Sequence, residues 1–359
     1  MFFYMPVKIY QEKNCVLNHA SELCSLGKHA LIVTGKSSAY KNGSYDDVCA
    51  ALDSKGVKHD VFDEVEENPS VETVIKGRDK ALACSCDFVI GIGGGSPLDA
   101  AKAIALMSLH ADKSGDYLFT KGADSSALPV VAVPTTCGTG SEATAVSVLT
   151  IHSKKTKGSC AHKIFPSLSL VDAKYLLSAP VKVIRNTAVD ALAHIWESVI
   201  NSSATEYSRM PAREGLKTWS HIKDVLLEGR QPDEEEASKL MYASTLAGIC
   251  IAHTGTSLPH ALSYNATYGL GLAHGAAVGY FLAGYLAETE KDLRGEVLDL
   301  SGFKSLEEWQ TFYNTVCTDK KLPDEVLEES VHAVNARPEK LTVAPFFTDE
   351  KVLRRIAWF

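Results

Sequence analysis

Three histidines and one aspartate stand out as side chains able to hold a metal: Asp190 and His194 in VDALAHIWES, His260 in SLPHALSY and His274 in GLAHGAAVG. Three imidazole nitrogens and a carboxylate suit Fe²⁺ or Zn²⁺ and leave a position for a substrate oxygen. Asp190 and His194 are four residues apart, so on a helix they share one face, one turn from each other. The surrounding NTAVDALAHIWESVI contains neither Gly nor Pro, and Val189, Leu192, Ala193 and Trp196 form an apolar stripe beside the two polar positions. An Asp-x-x-x-His pair also occurs as a surface pair or as a satisfied buried hydrogen bond. Both windows are poor in other charges, however, and there an unpaired buried aspartate is costly and a cation removes the cost.

Two loops could take a nucleotide. The run from Phe88 to Pro97, FVIGIGGGSP, reads as a buried strand ending in three consecutive glycines and followed by a helix with Ser96 as N-cap and Pro97 in the first helical position. Bare backbone N–H groups and the positive end of a helix would meet an anion such as a pyrophosphate. The same run also reads as a tight strand-to-helix turn, and Gly91, Gly93 and Ser96 miss the Gly-x-Gly-x-x-Gly spacing by one residue. After the next apolar strand, PTTCGTGSE offers Thr135, Thr136, Thr139 and Ser141, hydroxyls able to bond a ribose, a phosphate or a carboxamide. Two such loops after neighbouring strands favour a dinucleotide.

The elements that must position these residues divide the chain. Up to about Pro180, short β-branched runs (HALIVTG, VKHDVFDEV, DFVIGIGGGS, LPVVAVPTT, SLSLVDA) alternate with helical stretches such as Ser70–Ala83 and Pro97–Leu109, the pattern of a mostly parallel sheet covered by helices. VLTIHSKKTKGSCAHKI, from Val148, reads as a β-hairpin. Beyond Pro180 the chain reads as nearly all helix. The expected organisation is an α/β dinucleotide-binding domain over 1–179 and an all-α metal-binding domain over 180–359, with the chemistry in a cleft between them. At 359 residues the chain is long enough for two cores, and 45% hydrophobic with 22% charged residues is a globular balance. A net charge of −8 disfavours nucleic acid and anionic membranes as partners, and no apolar run spans a bilayer. Nine scattered cysteines and an N-terminus unlike a secretory signal point to the cytoplasm.

GGGSPLDAAKAIA, PTTCGTGSEAT, DALAHIWES and the His260–His274 segment, in this order, resemble the iron-containing alcohol dehydrogenases of the dehydroquinate synthase-like superfamily. The resemblance reaches from the N-terminus to about residue 285 and is looser beyond. It implies a dinucleotide-binding α/β domain, a helical domain, a metal that is Fe²⁺ rather than Zn²⁺, and Asp190, His194, His260 and His274 as its ligands. It also implies Gly93, Gly94, Gly95, Ser96, Asp99 and Lys102 on the pyrophosphate and nicotinamide side, Thr135, Thr136, Thr139 and Ser141 on the second cofactor loop, and Asn68 beside Pro69 on a further cofactor stretch. The implied reaction is reversible hydride transfer between a nicotinamide and a small alcohol or aldehyde, in a homodimer, with the apolar FFYMPVKIY strand pairing across the twofold.

Two departures from the family pattern add expectations. Many NAD-using relatives carry an aspartate after the first strand for the adenosine ribose. Here Gly35 stands in that region with Lys36, Ser37, Ser38 and Lys41, which would accept a 2′-phosphate, so NADP(H) is expected over NAD(H). Tyr264, four after His260, stands where several relatives have a histidine, and on a helix it could face the substrate oxygen or simply pack. The rival readings are a dehydroquinate synthase-like lyase, a glycerol-type polyol dehydrogenase and a non-catalytic sensor. Only Lys182 and Arg185 flank the first ligand pair, and no basic residue lies between Leu258 and Tyr280 apart from the histidines, which favours an uncharged or weakly charged substrate over the lyase's phosphorylated sugar acid. The tail from about Leu322 is expected only to pack.

Overall fold

The computed structural model describes residues 1–154 and 156–359. The chain forms two compact units. One comprises Met5–Thr136 and Gly140–Ala179, the other Met1–Tyr4, Cys137–Thr139 and Pro180–Phe359.

The first unit is built on a six-stranded sheet: β1 (Lys8–Gln11), β2 (His29–Thr34), β3 (Lys58–Phe62), β4 (Phe88–Gly93), β5 (Val130–Pro134) and β8 (Leu168–Val171), ordered β1-β8-β5-β4-β2-β3 with every pairing parallel. Parallel sheets bury both faces, and the central runs Leu31–Val33 and Val89–Ile92 are apolar almost without interruption because of it. Alternate residues go to opposite layers. Ile32, Ile90 and Val131 join one core cluster, and Leu31, Val89 and Val130 the other. The chain passes from β2 to β3 on one side and then returns to place β4 on the other. That reversal puts the glycine turn after β4 at the switch point, where open α/β sheets bind their ligands.

Two helices flank this turn, α1 (Val71–Cys84) and α2 (Gly95–Leu109). The cap of α2 differs from expectation: Gly94 is the N-cap, and Ser96 lies inside the first turn, where its hydroxyl accepts the Asn68 N–H at 3.1 Å. The helix can begin this early because Gly93 adopts φ 149°, and a Cβ there would lie 2.6 Å from Pro97 Cγ. The antiparallel hairpin β6 (Val148–Ile151) and β7 (Thr156–Ser159) forms as read, with Lys155 lying outside the described residues. The N-terminal strand is shorter than FFYMPVKIY. Only Lys8–Gln11 pairs, with β8, while Phe3 stacks on His253 at 4.4 Å in the helical unit.

The second unit is helical. Its main elements are α3 (Val181–Ile200), α4 (Glu206–Ser220), α5 (Glu234–Thr254), α6 (Leu258–Leu270), α7 (His274–Glu288), α8 (Asp324–Asn335) and the short α9 (Pro338–Leu341). Trp196, Trp219 and Trp309 are fully buried, and the Trp219 indole N–H is satisfied by the Ala188 carbonyl at 2.8 Å. Among the described residues, no helix is long and apolar enough to cross a membrane.

Lys102 on α2 is completely buried. Its Nζ donates to the Ser141 carbonyl and hydroxyl, both at 2.7 Å, and to the Val146 carbonyl at 2.9 Å. Asp99 completes the group: Oδ1 accepts the Ser141 hydroxyl at 2.6 Å and Oδ2 the Val148 N–H at 2.8 Å. Burial pushes the lysine pKa down to about 8 against the pull of Asp99 and Glu142. The cluster ties α2 to the loop after β5. Lys102→Met, which keeps the stem and removes the charge, should therefore cost about 3–5 kcal/mol by leaving buried acceptors unpaired. Urea unfolding of protein without nucleotide checks this, and an unchanged midpoint would show that the cluster does not support the fold.

Candidate metal centre

Helix α3 presents Asp190, His194 and Glu197 at positions i, i+4 and i+7, one face of the helix. Asp190 and His194 are 2% and 5% exposed and Glu197 is fully buried. An enclosed carboxylate needs donors, and Glu197 finds them at the start of α6. It accepts the backbone N–H of Ser257 at 2.7 Å, the backbone N–H of His260 at 3.0 Å and the His260 Nδ1–H at 2.8 Å. The first two are helix-terminal amides with no carbonyl of their own helix to meet, so the α3 carboxylate caps α6. The third bond fixes the His260 tautomer and turns Nε2 the other way.

His260 Nε2 then stands 3.5 Å from Asp190 Oδ1, and neither atom, both buried, makes a hydrogen bond among the described residues. His274, the first residue of α7, brings its Nε2 to 3.8 Å from the same oxygen. One ligand atom from each of Asp190, His260 and His274 lies within 4.8 Å of the others. His194 stands beside this trio, outside that limit: its ring stacks on His260 with centroids 4.4 Å apart, and its Nδ1 lies 3.3 Å from the Gly138 carbonyl. Donation from Nδ1 to that carbonyl leaves Nε2 as the ligating nitrogen, as in His260.

The electrostatics favour a cation. Burial alone would raise the Asp190 carboxyl, yet the surrounding histidines hold it well below the usual carboxylate range. Burial also opposes ionisation of Glu197, and His260 reverses that too. Burial lowers the pKa of His194, whereas at His260 the two carboxylates outweigh it and raise the pKa to about 9. The two buried carboxylates thus draw a proton onto His260, the place of positive charge that a divalent ion would take when bound. Metal bonds of about 2.1 Å to oxygen and nitrogen can close over the 3.5 Å gap between Asp190 and His260. The donor set fits a divalent ion.

Glycine makes this convergence sterically feasible. A Cβ on Gly275 would lie 1.8 Å from the Asn186 carbonyl oxygen and 3.1 Å from Asp190 Cβ, so only glycine lets the first turn of α7 reach α3. Similarly, a Cβ on Gly138 would lie 2.8 Å from the Thr187 carbonyl oxygen.

In the sheet unit, Gly93 ends β4 and Gly94, Gly95 and Ser96 follow it, Thr135 and Thr136 follow β5, and Gly35, Lys36, Ser37, Ser38 and Lys41 follow β2, the last four exposed. Asn68 adopts a left-handed φ of 60° and accepts from Lys157 Nζ at 2.7 Å. Asp99, Lys102 and Ser141, expected to face a cofactor, are engaged with one another, because a buried ammonium needs nearby oxygens. Thr139 belongs to the helical unit rather than with Thr135 and Thr136. Tyr264, one turn beyond His260 on α6, has its pKa raised, first by burial and then by Glu197, against the opposing effect of Arg337. It is a neutral phenol.

Sequence reasoning passed over Glu197, although its i+7 register from Asp190 was available. Gly138 and Gly275 looked like ordinary turn residues, and nothing local marks Arg337 or Lys340, which act electrostatically on Tyr264 and Glu197. Glu197→Gln keeps the shape and loses the charge that sets the His260 tautomer. We expect metal affinity to fall roughly 10–100-fold, read by chelator competition, and an unchanged affinity would assign Glu197 to capping alone.

Comparison with known proteins agrees with this geometry. The family described as iron-containing alcohol dehydrogenase matches residues 6–173, and its C-terminal family, Fe-containing alcohol dehydrogenase, matches 184–338. The NADPH-dependent butanol dehydrogenase of Clostridium saccharobutylicum is 31% identical over 287 residues, covering 79% of this chain and 72% of its own. The NAD-dependent methanol dehydrogenase of Bacillus methanolicus is 29% identical over 276 residues, covering 76% and 72%. The crystal structure of an iron-containing alcohol dehydrogenase from Thermotoga maritima aligns with a TM-score of 0.91 at 36% identity, covering 99% of this chain and 98% of that one. With both family matches in sequence order and the convergence of Asp190, His260 and His274, this chain belongs to the iron-containing alcohol dehydrogenases, and it is an oxidoreductase.

Proposed function

We propose that this protein transfers hydride reversibly between NADP(H) and a small alcohol or aldehyde, with Asp190, His194, His260 and His274 holding Fe²⁺. The observation that carries this reading is the buried meeting of Asp190, His260 and His274 behind the Glu197 carboxylate. When bound, the ion supplies Lewis acidity toward the substrate oxygen, and the nicotinamide carries the redox step. Glu197 orients His260, and the Gly138 carbonyl orients His194. Tyr264 keeps its proton near neutral pH and can act only as a hydrogen-bond donor or acceptor, not as a base.

Residues 1–179 supply the nucleotide site in this reading, and 180–359 the metal ligands. The glycine turn at the switch point and the first turn of α2 suit a pyrophosphate. Preference for NADP(H) rests on Gly35 at the end of β2, with Lys36 and Lys41 exposed close by in sequence. The relatives named above use either nucleotide, so the loop decides. A homodimer is supported by the exposed Phe2, Phe3 and Tyr4 and by the position of β1 at the sheet edge, with light scattering as the check. A cytoplasmic setting fits nine cysteines that form no disulfide.

An aldehyde panel with NADPH and NADH, on protein of measured iron and zinc content, tests the reading. Activity should follow metal content, and His260→Ala should lose both metal and turnover, whereas full activity in metal-free protein would refute the mechanism. The kcat/KM ratio for NADPH over NADH should exceed about 10, in line with a charge-assisted contact, and should fall in Lys36→Ala/Lys41→Ala. A preference for NADH would overturn the NADP(H) assignment. Tyr264→Phe should leave the pH profile of turnover unchanged, since a phenol that does not ionise contributes no limb.

A further inference from the structure

Two cations of the C-terminal segment come from elements that pack against the helix carrying His260. Helices α8 and α9 pack against α6, the helix that carries His260 and Tyr264. The α8–α9 junction holds Arg337, and α9 holds Lys340, both half-buried. Lys340 interacts electrostatically with Glu197 and with Arg337, and Arg337 with Tyr264. The sequence windows beside the ligands hold few basic residues, and these two belong instead to the segment beyond Leu322, expected to pack. The two basic groups come from helices distant in sequence, brought in by packing.

Among the described residues, neither cation has an ion-pair partner: Arg337 donates through Nε to the Ala333 carbonyl at 3.1 Å, and Lys340 Nζ makes no hydrogen bond, Glu197 and Glu339 acting on it only at longer range. Glu197 does not take that role, since its oxygens already accept three N–H donors from Ser257 and His260. Two half-buried like charges close together repel, and an anion shared between them relieves that repulsion. Burial and the neighbouring Arg337 both lower the Lys340 pKa, the consequence of that crowding.

We propose that Arg337 and Lys340 form a subsite for a negatively charged group at the far end of the aldehyde or alcohol, a carboxylate in the simplest case. A guanidinium beside an ammonium gives a carboxylate a planar fork and a point charge. The inference rests on the dehydrogenase reading above and sharpens it to an ω-carboxy aldehyde.

The test compares succinic semialdehyde with butanal, both with NADPH, on metal-loaded wild type, Arg337→Gln, Lys340→Gln and Arg337→Lys. Wild type should favour succinic semialdehyde in kcat/KM. Each Gln variant should lower that preference roughly 10–100-fold, the effect of one charge-assisted bond, mainly through KM, and Arg337→Lys should restore part of it. If both substrates lose equally, the cations only balance Glu197 and Asp190 and the proposal fails. It fails equally if butanal is preferred and the ratio is unmoved. Titration calorimetry with 4-hydroxybutyrate gives a readout independent of turnover: binding weakened in the Gln variants supports the subsite, and equal or absent binding refutes it. If neither aldehyde is reduced but 4-hydroxybutyrate binds in this way, the dehydrogenase reading fails while the anion subsite stands.

Discussion

The fully buried Glu197 carboxylate is the constraint on which the helical unit's chemistry depends. A charge so enclosed is tolerable only when every lone pair meets a donor, and the donors it meets are the opening amides of α6 and the ring of His260. One interaction therefore sets where α6 begins, how it lies against α3 and which imidazole nitrogen remains to bind metal. Asp190, two turns earlier on α3, is the outward half of the same arrangement. Glu197 is satisfied by protein, whereas Asp190 Oδ1 has no hydrogen-bond partner among the described residues.

The sheet unit solves a different problem, with backbone rather than side chains. Gly93 lets α2 start directly after β4, so the amides of its first turn face the carboxyl end of the sheet instead of being covered by a capping side chain. The Lys102–Asp99–Ser141 group then holds the loop after β5 by a charge inside the protein. A lysine just after a glycine-rich turn looks like a phosphate ligand. Its burial gives it a role in the framework.

What could be read from the chain was what depends on local order. Fully buried parallel strands announce themselves as apolar runs, and β2, β4 and β5 fall where such runs occur. The four-residue step from Asp190 to His194 needs only a helix to become a shared face. The start of α2 was misplaced because Ser-Pro is a strong capping signal, and the freedom of Gly93 overrode it. Glu197 was in register but looked like an ordinary helix glutamate, since its meaning comes from the amides of a helix far along the chain. Arg337 and Lys340 had no signal at all, because only the packing of α8 and α9 on α6 gives them their neighbours.

The three residues Cys137–Thr139 belong to the helical unit although the chain on either side belongs to the sheet unit. Gly138 rests against Thr187 and lends its carbonyl to His194. A gene split near Pro180 would thus yield a second product lacking an oxygen that orients one of its own imidazoles. The two halves are not interchangeable modules, and a chimera that swaps one of them must carry a compatible glycine tripeptide in the other.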